Sequence, residues 1–535
     1  MRSVLVLALL LATVLAAPAP ARAGDDCPVE VPPGTVCGRL DRGHGVGVRY
    51  AVHRSDSPGR RPDPIVFTSG GPGSPSLGLL WYLTSAPFGK DRDVVVVEQR
   101  GSRYSEPRLS CPELDRALLD RLAGAGEATL VAAGRACRDR LARAGIDPGE
   151  FNTRAIAGDV VALRHALGYA SWNLFGVSYS TRSMLAAAAA DPGGTRAVVL
   201  DSFLPASTAQ YDVGTLDLRA ALERVRPGLS GELARAADRL ERRPARVAVT
   251  DPLTGRPLVL RLTGQDVAGL VAEGMQDADF VTALPPLLRA LAAGHDELLP
   301  GLAQVAAGSL VSHDTGVYYA VNCQDEVPFN TFAADAGPRS FFAAVDPAVC
   351  RGLGLPAGDD TGAATAAPAL VLGGAFDPAT PVGRARAAAA RDLPGATVVE
   401  FAGLSHAVFL GSACARATIA AFLDAPGGFA WPCDPAASPY RTLGPGSVAV
   451  TSRAYDLAAD PWRQALPAAA LALAALVTLG AGALRRRAWA AGAGAPRPGC
   501  WPRRGCSSTV RRRPTRRACS SACRGPSQGA RSPPG

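Results

Sequence analysis

Apolar positions along the chain follow two patterns, and the change between them divides it. From Ile65 to about Leu200, short continuous apolar runs alternate with longer stretches of helical spacing. Asp63-Pro64 opens the run Ile65–Thr68, which breaks at a glycine-rich stretch. Asp93 opens Val94–Val97, a β-branched run expected of a strand buried on both faces. Residues 157–167 have helical spacing, 171–175 form a short strand, 181–190 an alanine-rich helix and 197–200 a further strand. Such alternation predicts a mostly parallel sheet with crossover helices. The pattern changes after about Pro205. Residues 216–242 and 266–275 read as amphipathic helices, 246–249 and 258–262 as two arms of a hairpin, and helical segments continue through Ala307. Alternation resumes with 369–372 and Thr397–Phe401. The expected organisation is an α/β core in residues 24–205 and 366–435, interrupted by a mainly helical cap at 206–365 and followed by a linker at 436–464.

Two more apolar runs lie at the ends. Residues 1–23 combine Arg2, an apolar run over 4–16 and Ala21-Arg22-Ala23, the pattern of a secretory signal. That run is too short to span a bilayer. Residues 465–484 carry no charge and are long enough to cross one at about 1.5 Å per residue. Arg485, Arg486 and Arg487 follow at once, which favours a cytoplasmic tail and a large portion outside. The other reading of 465–484 is a buried core helix.

Charge matters only once the tail is set apart. The formal net charge is +9, but residues 485–535 hold thirteen arginines and no acid, so the rest of the chain carries −4. The exported portion is mildly acidic and has no nucleic-acid footprint. The tail, rich in Arg, Pro, Ser and Gly, is expected to be disordered and to contact anionic lipid. Its Cys500, Cys506, Cys519 and Cys523 fit no tight zinc spacing. The other eight of the twelve cysteines are Cys27, Cys37, Cys111, Cys137, Cys323, Cys350, Cys414 and Cys433. An even number in an oxidising compartment argues for disulfides, and the spacing suggests sequential pairs, one of about 105 connectivities.

The strongest chemical signal is Gly176-Val177-Ser178-Tyr179-Ser180, between a strand and a helix. A serine there sits on a sharp turn with its hydroxyl pushed above the sheet, and its neighbours must be small. Ser180 stands where a glycine is usual. A serine nucleophile needs a base, and the base an orienting acid, in the order Ser, Asp or Glu, His. His406 is the one histidine beyond His313, and Asp377 follows the strand before it. Asp201, at the end of the strand after the nucleophile helix, is the alternative acid. Ser69-Gly70-Gly71-Pro72-Gly73 follows an early strand and offers the Gly71 N–H to an oxyanion, with the Tyr179 N–H as the second donor. Glu98 is expected to brace that loop.

GGPGSPS, DVVVVEQRGSRYSEP, GVSYST, GGAFDPATP and GLSHAVF together resemble the tripeptidyl aminopeptidase and proline iminopeptidase group of serine peptidases. YYAVNCQDEVP resembles its secreted tripeptidyl aminopeptidase branch. The resemblance spans roughly residues 45–435. It implies an α/β-hydrolase fold with a helical cap and a serine exopeptidase that releases tripeptides, other short peptides or single residues from a free N-terminus. It also implies Ser178, His406 and Asp377 as nucleophile, base and acid, and no metal or organic cofactor. Two features depart from the group: Ser180, and the C-terminal apolar segment with its arginine-rich tail. An aminopeptidase must also hold the substrate ammonium, which calls for a carboxylate in the pocket wall. Asp325 and Glu326 are the candidates by position; the other reading is that they cap a turn or pair with an arginine. The rivals are a carboxylesterase or lipase with the same triad and a catalytically dead hydrolase-fold binding protein. The expected partners are peptides with a free N-terminus and a membrane crossed by one helix, with the catalytic portion outside.

Overall fold

The computed structural model describes residues 27–332, 341–358, 362–437, 440–443 and 461–492. The expected signal, the end of the tail with its four cysteines, and most of the linker lie outside them. Among the described residues ten strands are formed: β1 (Thr35–Asp41), β2 (Gly47–His53), β3 (Ile65–Thr68), β4 (Val94–Val97), β5 (Trp172–Val177), β6 (Thr195–Asp201), β7 (Ala245–Thr250), β8 (Pro257–Leu262), β9 (Ala369–Gly374) and β10 (Thr397–Phe401). Eight of them build one sheet in the order β1-β2-β4-β3-β5-β6-β9-β10, while β7 and β8 pair as a separate hairpin. β2 runs antiparallel to β1 and β4, and every pairing from β4 to β10 is parallel.

Period-two alternation explains how the sheet is buried on both faces. Val66, Val95, Leu174, Val198 and Val371 point to one side, under helices Thr153–Leu167, Ser180–Ala190 and Val382–Asp392. Phe67, Val96, Phe175, Val199 and Leu372 point to the other, under helices Leu80–Ser85 and Ala413–Asp424. The continuous apolar runs of the sequence are therefore strands with no solvent face.

Between β6 and β9 the chain leaves the sheet for the hairpin and the helices Gln210–Val225, Leu229–Arg242, Gly264–Gly274, Ala278–Ala292, Leu299–Leu310, Thr315–Asp325 and Phe341–Leu353. Residues 216–242, read from the sequence as one helix, are two. Pro227 has no N–H to continue the first, and Gly228 turns left-handed at φ 83° before the second begins. These helices share a third apolar cluster with Pro112–Leu122 and Glu127–Arg143, which the sequence pattern had grouped with the core. Four disulfides join Cys27–Cys37, Cys111–Cys137, Cys323–Cys350 and Cys414–Cys433, the sequential pairing that the spacing suggested.

The described residues of the C-terminal unit form one helix, Pro461–Gly492. Its stretch Ala465–Arg487 has a mean hydropathy of 1.9 and is long and apolar enough to cross a membrane.

Candidate active site

Parallel strands send all their carboxyl ends to one edge, so the loops that follow them converge there. Ser69 follows β3, Glu98 follows β4, Ser178 follows β5, Asp377 follows β9 and His406 follows β10, while Asp201 ends β6. A cavity of about 940 Å³ lies between this edge and the helices inserted after β6, and Ser178, Tyr179, Gly71 and His406 line it.

Ser178 has φ 57°, a left-handed backbone rare for a residue with a side chain. The turn is held by its N–H donating to Asp201 O at 3.0 Å and by the Thr181 hydroxyl donating to Ser178 O at 2.5 Å. Gly176 has no alternative: a Cβ there would stand 2.7 Å from Ser180 O and 2.9 Å from Thr181 Cα. Ser180, by contrast, fits. Its hydroxyl donates to Thr68 O on β3 and accepts from Val177 N, both at 2.8 Å, and so ties the elbow to the neighbouring strand. On the oxyanion side, a Cβ on Gly70 would lie 2.9 Å from Ser178 Cβ, so the loop backbone reaches the serine only because the residue is glycine. Among the described residues, neither the Gly71 nor the Tyr179 N–H donates a hydrogen bond.

His406 Nδ1 meets Asp377 Oδ2 at 2.7 Å, which leaves Nε2 free. Asp377 also accepts from the N–H groups of Ala379 and Thr380 and, at 2.6 Å, from the Thr380 hydroxyl. Burial alone would push this carboxyl up. The facing imidazole and these donors outweigh it and hold the group at about 2. Burial likewise works against a charged His406, but Asp377, with Asp201 and Glu273 further off, lifts it above its ordinary value. Asp201 does not pair with the histidine. Its two oxygens accept from Val408 and Phe409 N–H, at 3.1 and 2.8 Å, and so hold the loop that carries His406. Burial pushes the Asp201 carboxyl up to about 6.

A family model described as the alpha/beta hydrolase fold matches residues 63–413. The chain is an α/β hydrolase. The solved structures similar to it include the proline iminopeptidase of Mycobacterium smegmatis, at 18% identity, covering 73% of this chain and 98% of that one with a TM-score of 0.40. Est816, titled an N-acyl homoserine lactone degrading enzyme, matches at 16% identity over 72% and 99% of the two chains, with a TM-score of 0.35. A thermophilic esterase from Thermogutta terrifontis matches at 16% identity over 73% and 100%, also with a TM-score of 0.35. No curated protein sequence matches the hydrolase.

The two carboxylates expected to bind an ammonium are placed otherwise. Asp325 is outside the cavity lining. Its carboxyl accepts from the Thr153 N–H at 2.7 Å, one of the orphan donors at the start of helix Thr153–Leu167, and the Thr153 hydroxyl in turn meets Tyr179 OH at 2.9 Å. Glu326 does line the cavity, but Arg182 takes it up in a buried ion pair of 2.5 Å, and the Gln210 N–H binds its other oxygen at 3.1 Å. Both follow the arginine-or-cap alternative, because a buried carboxylate without a partner is too costly to keep.

Glu273 was missed. It sits at the end of helix Gly264–Gly274, lines the cavity and interacts electrostatically with His406. Its side chain is exposed; partial burial against the surrounding protein pushes the carboxyl up, against the pull of His406 and of a hydrogen bond from Gln276 at 2.7 Å. Nothing local in the sequence marks it; only the fold brings this helix end over His406, whose N–H donates to Gln276 O at 3.2 Å. Glu98 behaves as expected, accepting from Ser76 and Leu77 N–H at 2.9 and 2.8 Å.

Proposed function

We propose that this hydrolase is a serine aminopeptidase acting outside the cytoplasm on peptides with a free N-terminus. The observation that carries the choice is the charge of the cavity wall. Asp217, Glu273, Asp277, Asp279 and Glu326 line it, against the single guanidinium of Arg182. Arg182 is consumed by Glu326, and Asp217 by Arg384 at 2.7 Å. Glu273, Asp277 and Asp279 have no cationic partner among the described residues, and together they attract an ammonium group. A neutral ester gains nothing from that field.

In this reading the Ser178 oxygen attacks the peptide carbonyl while its proton passes to His406 Nε2. Asp377 fixes the imidazole by its Nδ1–H and stabilises the imidazolium. The N–H groups of Gly71 and Tyr179 receive the oxyanion. The C–N bond then breaks, the leaving amine takes the proton from His406, and water releases the acyl group by the same steps in reverse order. Glu273 is the leading ammonium anchor. The four disulfides and the apolar stretch Ala465–Arg487 support an exported enzyme held to the membrane by one helix.

The test uses full-length protein in detergent beside its Ser178→Ala variant, on a tripeptide aryl amide, its N-acetylated twin and a simple aryl ester. Cleavage confined to the free-amine peptide and lost in the variant is the expected result. Ester cleavage without peptide cleavage would favour the carboxylesterase, and no cleavage with no fluorophosphonate labelling would favour the dead fold.

A further inference from the structure

The geometry points to Gln99 as a positioning residue for the reaction: its side-chain amide clamps the glycine loop so that the Gly71 N–H faces the oxyanion. This rests on the Ser178 mechanism proposed above. Gln99 is fully buried. Its Nε2 donates to Ser69 O at 2.7 Å and to Gly70 O at 3.0 Å, and its Oε1 accepts from Gly73 N at 2.9 Å. One planar amide thus holds main-chain groups on both sides of Gly71. A buried amide satisfied at both ends has one orientation, since turning it over would set donors against the Gly73 N–H and an oxygen against two carbonyls.

The loop is gripped from the opposite side as well. Gly73 O accepts from the Asp314 N–H at 3.1 Å, immediately before helix Thr315–Asp325, whose Thr315, Tyr318, Tyr319 and Asn322 line the cavity. The Asp314 carboxylate takes the Arg103 N–H at 2.8 Å, four residues beyond Gln99. The loop therefore lies between the segment leaving β4 and a cap helix, with Gln99 as the contact nearest Gly71. An oxyanion donor acts by being in place before charge develops, so the residue that fixes it should affect the transition state and leave ground-state binding alone.

Two near-isosteric variants test this. Gln99→Met removes all three hydrogen bonds; Gln99→Glu keeps an acceptor for Gly73 N but sets an oxygen against the Ser69 and Gly70 carbonyls. Rates are normalised to sites titrated with a fluorophosphonate, and inhibition by a tripeptide aldehyde, whose hemiacetal oxygen occupies the oxyanion position, is measured alongside. The expected result is a kcat lowered on the order of tenfold to a hundredfold in both variants, below the ~10²–10³ for deleting a donor outright. KM should stay within about twofold, and aldehyde affinity should fall in proportion to kcat. Unchanged kcat, a loss confined to KM, aldehyde affinity that does not follow kcat, or failure of both variants to fold each overturns the assignment. An inactive wild-type enzyme would instead defeat the underlying serine mechanism, so the two failures are distinguishable.

Discussion

The floor and the roof of the cavity are built by different means. The floor is made of strand ends, and main-chain groups do most of the fixing there: the Asp377 carboxylate accepts from the Ala379 and Thr380 N–H groups, and the Ser178 N–H donates to Asp201 O at the end of the neighbouring strand. The roof is made of helices whose polar groups find partners far away in the chain, as Glu326 does in Arg182 and Asp325 in Thr153. The floor's positions are therefore set by the backbone of the sheet edge. The roof's charge depends on which carboxylates an arginine has already claimed, and those left without a cation can attract a substrate's ammonium.

That contrast separates mutations that remove chemistry from those that remove structure. On the floor, Asp377→Asn should lower kcat on the order of 10⁴-fold, as expected when a histidine loses its orienting acid, with little change in the melting temperature. A large loss of stability with residual activity would show that Asp377 is structural. On the roof, Glu326→Gln leaves Arg182 buried without its counter-charge. The expected cost is about 3–5 kcal/mol by denaturant titration, before any specific effect on KM; unchanged stability with a raised KM would return Glu326 to substrate binding.

A smaller effect concerns pH. In the proposed mechanism His406 must be neutral to accept the serine proton, and its surroundings raise its pKa, so kcat/KM should fall as pH drops through an apparent pKa higher than that of an ordinary histidine. Glu273 contributes to that rise, so Glu273→Gln should shift the acid limb to lower pH by a few tenths, about the size expected for one partly screened charge; a shift upward would contradict its place beside the histidine. The smallest change is expected of Asp325→Asn, whose amide oxygen still accepts from Thr153: about 1 kcal/mol or less of stability and an unaltered KM. A clear rise in KM would put Asp325 back in the cavity wall.

The same contrast explains what the sequence revealed. The strands carry apolar runs with no solvent face, and the elbow, the acid loop and the histidine loop each contain their own local signature, so Ser178, Asp377 and His406 were legible as a set that the structure brings to one edge. The antiparallel pair β1 and β2 was not read, because TVCGRLD and GVRYAVH mix polar residues into both faces. The split of 216–242 was hidden by an apolar period that continues across Pro227. The roof's charges were illegible for a different reason. Asp325 and Glu326 stand out by position alone, and no local pattern tells that Arg182 and Thr153 reach them, or that Glu273 lies near His406 without an ion-pair partner among the described residues.

The most direct measurement is the ratio of kcat/KM for a free-amine tripeptide amide to that for its N-acetylated twin, in the full-length enzyme and in Glu273→Gln, near pH 7.5. The ratio should be large in the wild type and fall about tenfold or more in the variant, with the acetylated peptide cleaved equally by both. A ratio near one in the wild type, or one that Glu273→Gln leaves intact, would contradict recognition of an ammonium by the unpaired carboxylates of the roof.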